Sequence, residues 1–260
     1  MALAAGSLWS GGRVLDALNV PHLAFVPFWT LSAILALAWN SRVAAHLVTL
    51  AALAWWCAAA IAPSQNELIV ADGAALLLGA GLLCGNAPSD PLRSFGVTLS
   101  AYGAFALAAV AAFAAAMSGV VRIGFVNPPD WAVGCGFVGV ILAVTATAAE
   151  RRVGSIFAGI SIVLVLVVDD GWAKPATGEP WLAYALELVA MLCLVVSGML
   201  DGSRARVVAG WLGLAAVIAS VTWAVKGSLL RRSIFLAAAG AVAIVFAVML
   251  GRLLPKESRP

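Results

Sequence analysis

The 15 Lys and Arg and 12 Asp and Glu residues of this 260-residue chain fall almost wholly in the gaps between long apolar runs. A charge near the centre of a bilayer costs a few kcal/mol or more, so this spacing makes the gaps loops and the runs spans. A hydrocarbon core of about 30 Å needs roughly 20 helical residues, whereas a membrane barrel shows alternating segments of about ten. The runs here are continuous, which predicts an all-α, polytopic transmembrane helix bundle. Hydrophobic residues make up 63% of the chain, against about 45–50% in a soluble domain, and mean hydropathy is +1.05. No polar stretch approaches the roughly 50 residues of an independent domain, so no soluble catalytic domain is expected.

The predicted spans cover residues 21–39, 43–62, 68–84, 95–120, 131–149, 154–168, 181–200, 206–225 and 233–254, nine in all within a range of eight to ten. A short segment, 1–20, precedes the bundle of 21–254 at the interface, and 255–260 form a polar tail. Gly85-Asn86-Ala87-Pro88 ends the third span, because glycine suits a helix C-cap and proline cannot continue the helix. With nine spans, nine Lys or Arg fall on the side of the C-terminus and six on the other. Cytoplasmic loops collect these residues, so the reading is a multi-pass protein of the bacterial cytoplasmic membrane with its C-terminus in the cytoplasm. Trp39, Trp131, Trp172, Trp181 and Trp223 lie at predicted ends, and Trp55, Trp56 and Trp211 lie within a turn or two of theirs, as an interfacial aromatic belt requires.

A formal charge of +3 spread over many loops gives no continuous basic patch, which argues against nucleic acid as a partner. Cys57, Cys84, Cys135 and Cys193 include no CxxC pair and have no nearby His, so they read as small apolar side chains. Arg13 and Asp16 come after the first apolar residues, so no cleaved signal peptide is expected. His22 and His46 start and follow the first span at opposite membrane levels, which separates them as metal ligands. No metal or cofactor is expected.

Glu187 stands out as the one ionisable residue deep inside a predicted span, about 5 Å from its middle at 1.5 Å per residue. Such a carboxyl must be protonated, face a polar cavity, or meet a cation or hydroxyl donor. Tyr184, three residues earlier, is its local hydrogen-bond candidate. One role is a proton- or cation-linked site; the other is a neutral carboxyl bonded between helices to fix packing. Asp169-Asp170, at the end of the sixth span, is a candidate interfacial acidic pair, with fewer oxygen ligands than a divalent cation needs. Thr145, Thr147, Ser161 and Ser197 lack an accompanying His–Asp arrangement and are expected to bond back to helix carbonyls.

Gly81 and Gly85 form a GxxxG, Gly134, Gly136 and Gly139 thin the fifth span, and Gly210 and Gly213 thin the eighth. Small residues let helices approach closely in lipid, here for internal packing in preference to a docking face. The last 60 residues carry a recurrent cadence: Asp201-Gly202-Ser203-Arg204-Ala205-Arg206, an apolar helix to Trp223, then Lys226-Gly227-Ser228-Leu229-Leu230-Arg231-Arg232 and a final helix with Gly240. This cadence resembles the bacterial polytopic family known as domain of unknown function 2157. Members of that family often carry a cytoplasmic segment ahead of the membrane part, where this chain has about 20 residues. The resemblance implies a membrane bundle and no particular activity.

The leading expectation is a non-enzymatic accessory, scaffold or assembly subunit of a larger membrane complex, in contact with the lipid bilayer and other membrane subunits. Its argument is close-packing faces with almost no buried polar chemistry. The alternative is a small proton- or cation-linked transporter or channel whose path passes Glu187.

Overall fold

The computed structural model describes residues 32–34, 37–38, 41–61, 69–118, 130–150, 153–169, 181–224 and 240. The predicted first and ninth spans lie largely outside the described residues, as do the segments 1–20 and 255–260. Seven helices are complete: α1 Arg42–Ile61, α2 Ile69–Gly85, α3 Asp90–Ser118, α4 Asp130–Glu150, α5 Val153–Asp169, α6 Trp181–Leu200 and α7 Arg204–Ala224. Three of them contain stretches long and apolar enough to cross a membrane, Asp90–Ala116, Leu182–Leu200 and Arg204–Thr222, and the other four are shorter apolar helices.

Local chemistry sets the helix ends. Ser41 caps α1 by accepting the Ala44 N–H at 3.3 Å. α3 begins five residues before the expected Phe95, at Asp90, because an acid followed by Pro91 is a ready N-terminus: the acid favours the helix dipole and proline needs no partner for an N–H. α6 closes on Gly202, whose φ of +69° is the left-handed region that glycine enters without strain. The Ser203 N–H reaches the Gly198 carbonyl at 2.7 Å and the Gly202 N–H that of Met199 at 3.4 Å, so a Schellman cap turns the chain into α7.

Six helices close into a ring in the order α2, α3, α7, α6, α5, α4, with α4 returning to α2, while α1 packs outside against α2 and α3. The closest approaches are made at glycine. A methyl group on Gly81 would strike the Ser100 backbone, one on Gly103 the Leu78 backbone, and one on Gly96 the Gly85 backbone, so α2 and α3 run antiparallel nearly in backbone contact. Gly79 and Gly139 bring α2 equally close to α4, and Gly198, Gly210 and Gly213 fit α7 against α6. Both members of the GxxxG thus serve internal packing, as expected. Between these contacts lies a core of Ala, Leu and Val, including the wholly buried Ala74, Ala104, Leu107, Ala111, Ala146, Ala158 and Leu194.

The outside of the ring is apolar. Phe137, Ile141 and Val144 on α4, Ile156 and Val163 on α5, and Leu212 on α7 are all exposed. So much exposed apolar surface is rare on a soluble monomer and is compatible with lipid contact. Trp56 departs from the expected belt: it is buried, pressed onto Gly73 where α1 meets α2, because a glycine there leaves room for an indole ring.

Gly81→Val places side-chain atoms on the α3 backbone, so it should destabilise the purified protein by about 1–3 kcal/mol, seen as a lower Tm in mild detergent. Gly134→Ala, which meets nothing within 4 Å, should leave Tm unchanged or raise it.

Candidate functional site

Glu187 is the seventh residue of α6 and is 0% exposed, so it faces the inside of the bundle and not lipid. Neither carboxyl oxygen has a hydrogen-bond partner among the described residues. Tyr184, one turn away and also buried, is close enough to feel the Glu187 charge, although it does not hydrogen-bond to it. The structure therefore brings the two named residues together as electrostatic neighbours. Among the described residues no donor stands ready to offset the several kcal/mol that burying an ionised carboxylate here would cost.

A second carboxyl is buried where sequence reasoning expected none. Asp72 lies in the first turn of α2 and is also 0% exposed. Glu187 remains the one ionisable residue deep inside a described helix, while Asp72, expected among the acids of one membrane side, is buried at its helix end. Gly136 of α4 is the physical reason: its missing side chain leaves the space that the Asp72 carboxyl occupies. Cys135 is within electrostatic reach of the same carboxyl. A cavity of about 140 Å³ lies between α4 and α5, lined by Asp72, Val133, Phe137, Val140, Val163, Leu166 and Val167. The sequence signal was present, since Ile69, Val70 and Ala71 precede Asp72 within the apolar run. The nearness of Asp72 to the end of that run made it read as a boundary residue.

Arg206 is the second correction. Counted as a loop cation by sequence, it is 6% exposed, because its guanidinium turns back onto the end of α6. Its Nη1 donates to Asp201 Oδ2 at 2.8 Å and to the Ser197 hydroxyl. Gly154, at the start of α5, sits directly against the Asp201 carboxylate, so this clasp joins three helices. Ser197 consequently serves Arg206 instead of a helix carbonyl, while Thr145 and Thr147 do bond back to Leu142 and Ala143 as expected. Ser161 is buried with no hydrogen-bond partner among the described residues.

Helix direction orders these groups. Because α5 starts at the clasp, its far end, with Leu166, belongs to the opposite half of the bundle, where α6 begins. Leu166 also packs at Gly136, beside Asp72. Asp72 and Glu187 thus share the half of the bundle away from the clasp. Asp169 is the last residue of α5, at that same end; Asp170 lies outside the described residues, as does His22. His46 is exposed on α1 with its ring edge-on to Tyr102, centroids 5.7 Å apart. Among the described residues, no three His, Cys, Asp or Glu side chains come together as a metal site requires.

Comparison with protein families, curated proteins and solved structures finds no match for this chain. Its function is therefore argued from its own residues.

Three variants separate the buried ion pair from the lone buried carboxyl. Arg206→Met strands Asp201 and should cost about 3–5 kcal/mol, whereas Asp201→Leu combined with Arg206→Met should recover most of that loss, as read by Tm in detergent. Glu187→Met removes a buried carboxyl that no described donor satisfies, so it should leave Tm unchanged or raise it by the equivalent of about 1–2 kcal/mol. A large fall in Tm would show instead that the carboxyl is held by a donor.

Proposed function

We propose that this chain is a non-enzymatic, multi-pass protein of the bacterial cytoplasmic membrane, of about nine spans with a cytoplasmic C-terminus, and that it works as a small proton- or cation-linked transporter or channel through Glu187. The observation that carries the reading is the position of that carboxyl: wholly buried on the inner side of α6, with neither oxygen hydrogen-bonded among the described residues. Evolution tolerates an intramembrane acid with so little local support chiefly where it serves an ion or proton path. Asp72 adds weight, because a second buried carboxyl in the same half of the bundle removes the argument that the interior lacks polar chemistry.

A second reading remains favoured by one observation of its own. The backbone-close glycine contacts of α2, α3, α4, α6 and α7 suit a rigid accessory or assembly subunit that works by packing against other membrane proteins. Resemblance to the domain of unknown function 2157 family fits either reading.

Full-length protein reconstituted into vesicles containing a pH-sensitive dye decides between them. Wild type should dissipate an imposed proton or sodium gradient at least roughly tenfold faster than Glu187→Gln, as expected when a proton-binding group is lost. Equal rates for wild type, Glu187→Gln and empty vesicles, together with a stoichiometric co-purifying membrane chain, would establish the accessory reading instead.

A further inference from the structure

We propose that the six-helix ring is two three-helix blocks, α2–α3–α4 and α5–α6–α7, which part at the α4–α5 seam above Asp72 by hinging on the α3–α7 seam. Each block is tied internally by contacts that permit little movement. In the first, α2 meets α3 at Gly81, Gly96 and Gly103 and meets α4 at Gly79 and Gly139, backbone against backbone. In the second, Gly154 fixes α5 to the Asp201–Arg206 clasp, and Gly198 and Gly210 seat α7 on α6.

Apart from a few contacts of α5 with α2 and α3 and of α6 with α3 inside the ring, the blocks meet at two seams, and these differ. α3 and α7 pack along much of their length, with Gly213 against Ala108 and the Ser220 hydroxyl donating to the Ala112 carbonyl at 3.5 Å. α4 and α5 share the thinnest interface round the ring. They touch at Ala143 and Gly159 in ordinary van der Waals contact and again where Leu166 packs at Gly136, and around that second contact they leave the cavity of about 140 Å³ beside Asp72. Phe137 and Val163, which line that cavity, are exposed on the outside, so the seam is already thin where a carboxyl lies behind it. Tightly packed blocks joined by one good seam and one poor one move as rigid bodies about the good seam. The motion stands apart from the ion-linked reading and deepens it by giving Asp72 a route to water.

The test is a pair of spin-label distances in the full-length protein, with its four native cysteines replaced by alanine. Labels at Phe137→Cys and Val163→Cys span the proposed opening, and labels at Phe113→Cys and Ala219→Cys span the hinge; all four positions are exposed. The first pair should show a second population longer by about 3 Å or more, the width that admits a water molecule of roughly 1.4 Å radius. The second pair should stay single and narrow. One narrow distance for both pairs, or equal broadening in both, overturns the hinge, and neither result depends on whether ions cross the protein.

Discussion

Everything in this bundle depends on how closely α2 approaches its neighbours. At Gly79 and Gly81 its backbone comes against the backbones of α4 and α3, a distance at which any side chain would collide, and Gly96 of α3 closes as tightly on Gly85. In lipid there is little hydrophobic gain from bringing two helices together, so dispersion contacts over such surfaces have to hold them. The consequence is a core in which alanine and glycine sit at the helix crossings and Leu, Val and Ile fill the space between them. In that core glycine makes room for two of the buried acids, Gly136 for Asp72 and Gly154 for Asp201.

Buried charges meet two different fates under this constraint. Arg206 and Asp201 are neutralised across one turn of chain, with Ser197 supplying a further acceptor, and they stabilise the α6–α7 hairpin end where the helices leave the bundle. Glu187 has no such arrangement among the described residues, although it is as deeply buried. A cell membrane protein gains nothing structural from an acid held in this way, since an apolar side chain of the same size would pack as well. That asymmetry supports the proposed role of Glu187 and marks the clasp as structural.

The elements were legible in the sequence because charge placement and apolar run length both report them. The span expected at 181–200 coincides with α6, and α2, α4 and α5 begin and end within one residue of expectation. α3 was drawn too short because Arg93 looked like a loop residue, whereas it sits in the first turn of a helix started by Asp90 and Pro91. Glu187 was legible as a candidate, since six residues of helix separate it from the nearest end of the run. Asp72 and Arg206 were not, and for one physical reason: both lie within a turn or so of a helix end, where sequence allows either solvent or interior, and only the neighbouring helix decides. The glycine that admits each acid, Gly136 or Gly154, is on another helix, distant in the chain and without a pattern that links it to its partner.

The proposed role requires Glu187 to rest as a neutral acid inside the bundle, ready to exchange a proton or cation. Infrared difference spectroscopy of the full-length protein at neutral pH, wild type against Glu187→Gln, measures this directly. The account predicts that the substitution removes the carbonyl stretch of a protonated carboxylic acid in an apolar setting. If it removes only carboxylate bands, Glu187 is ionised and paired, and the account is contradicted.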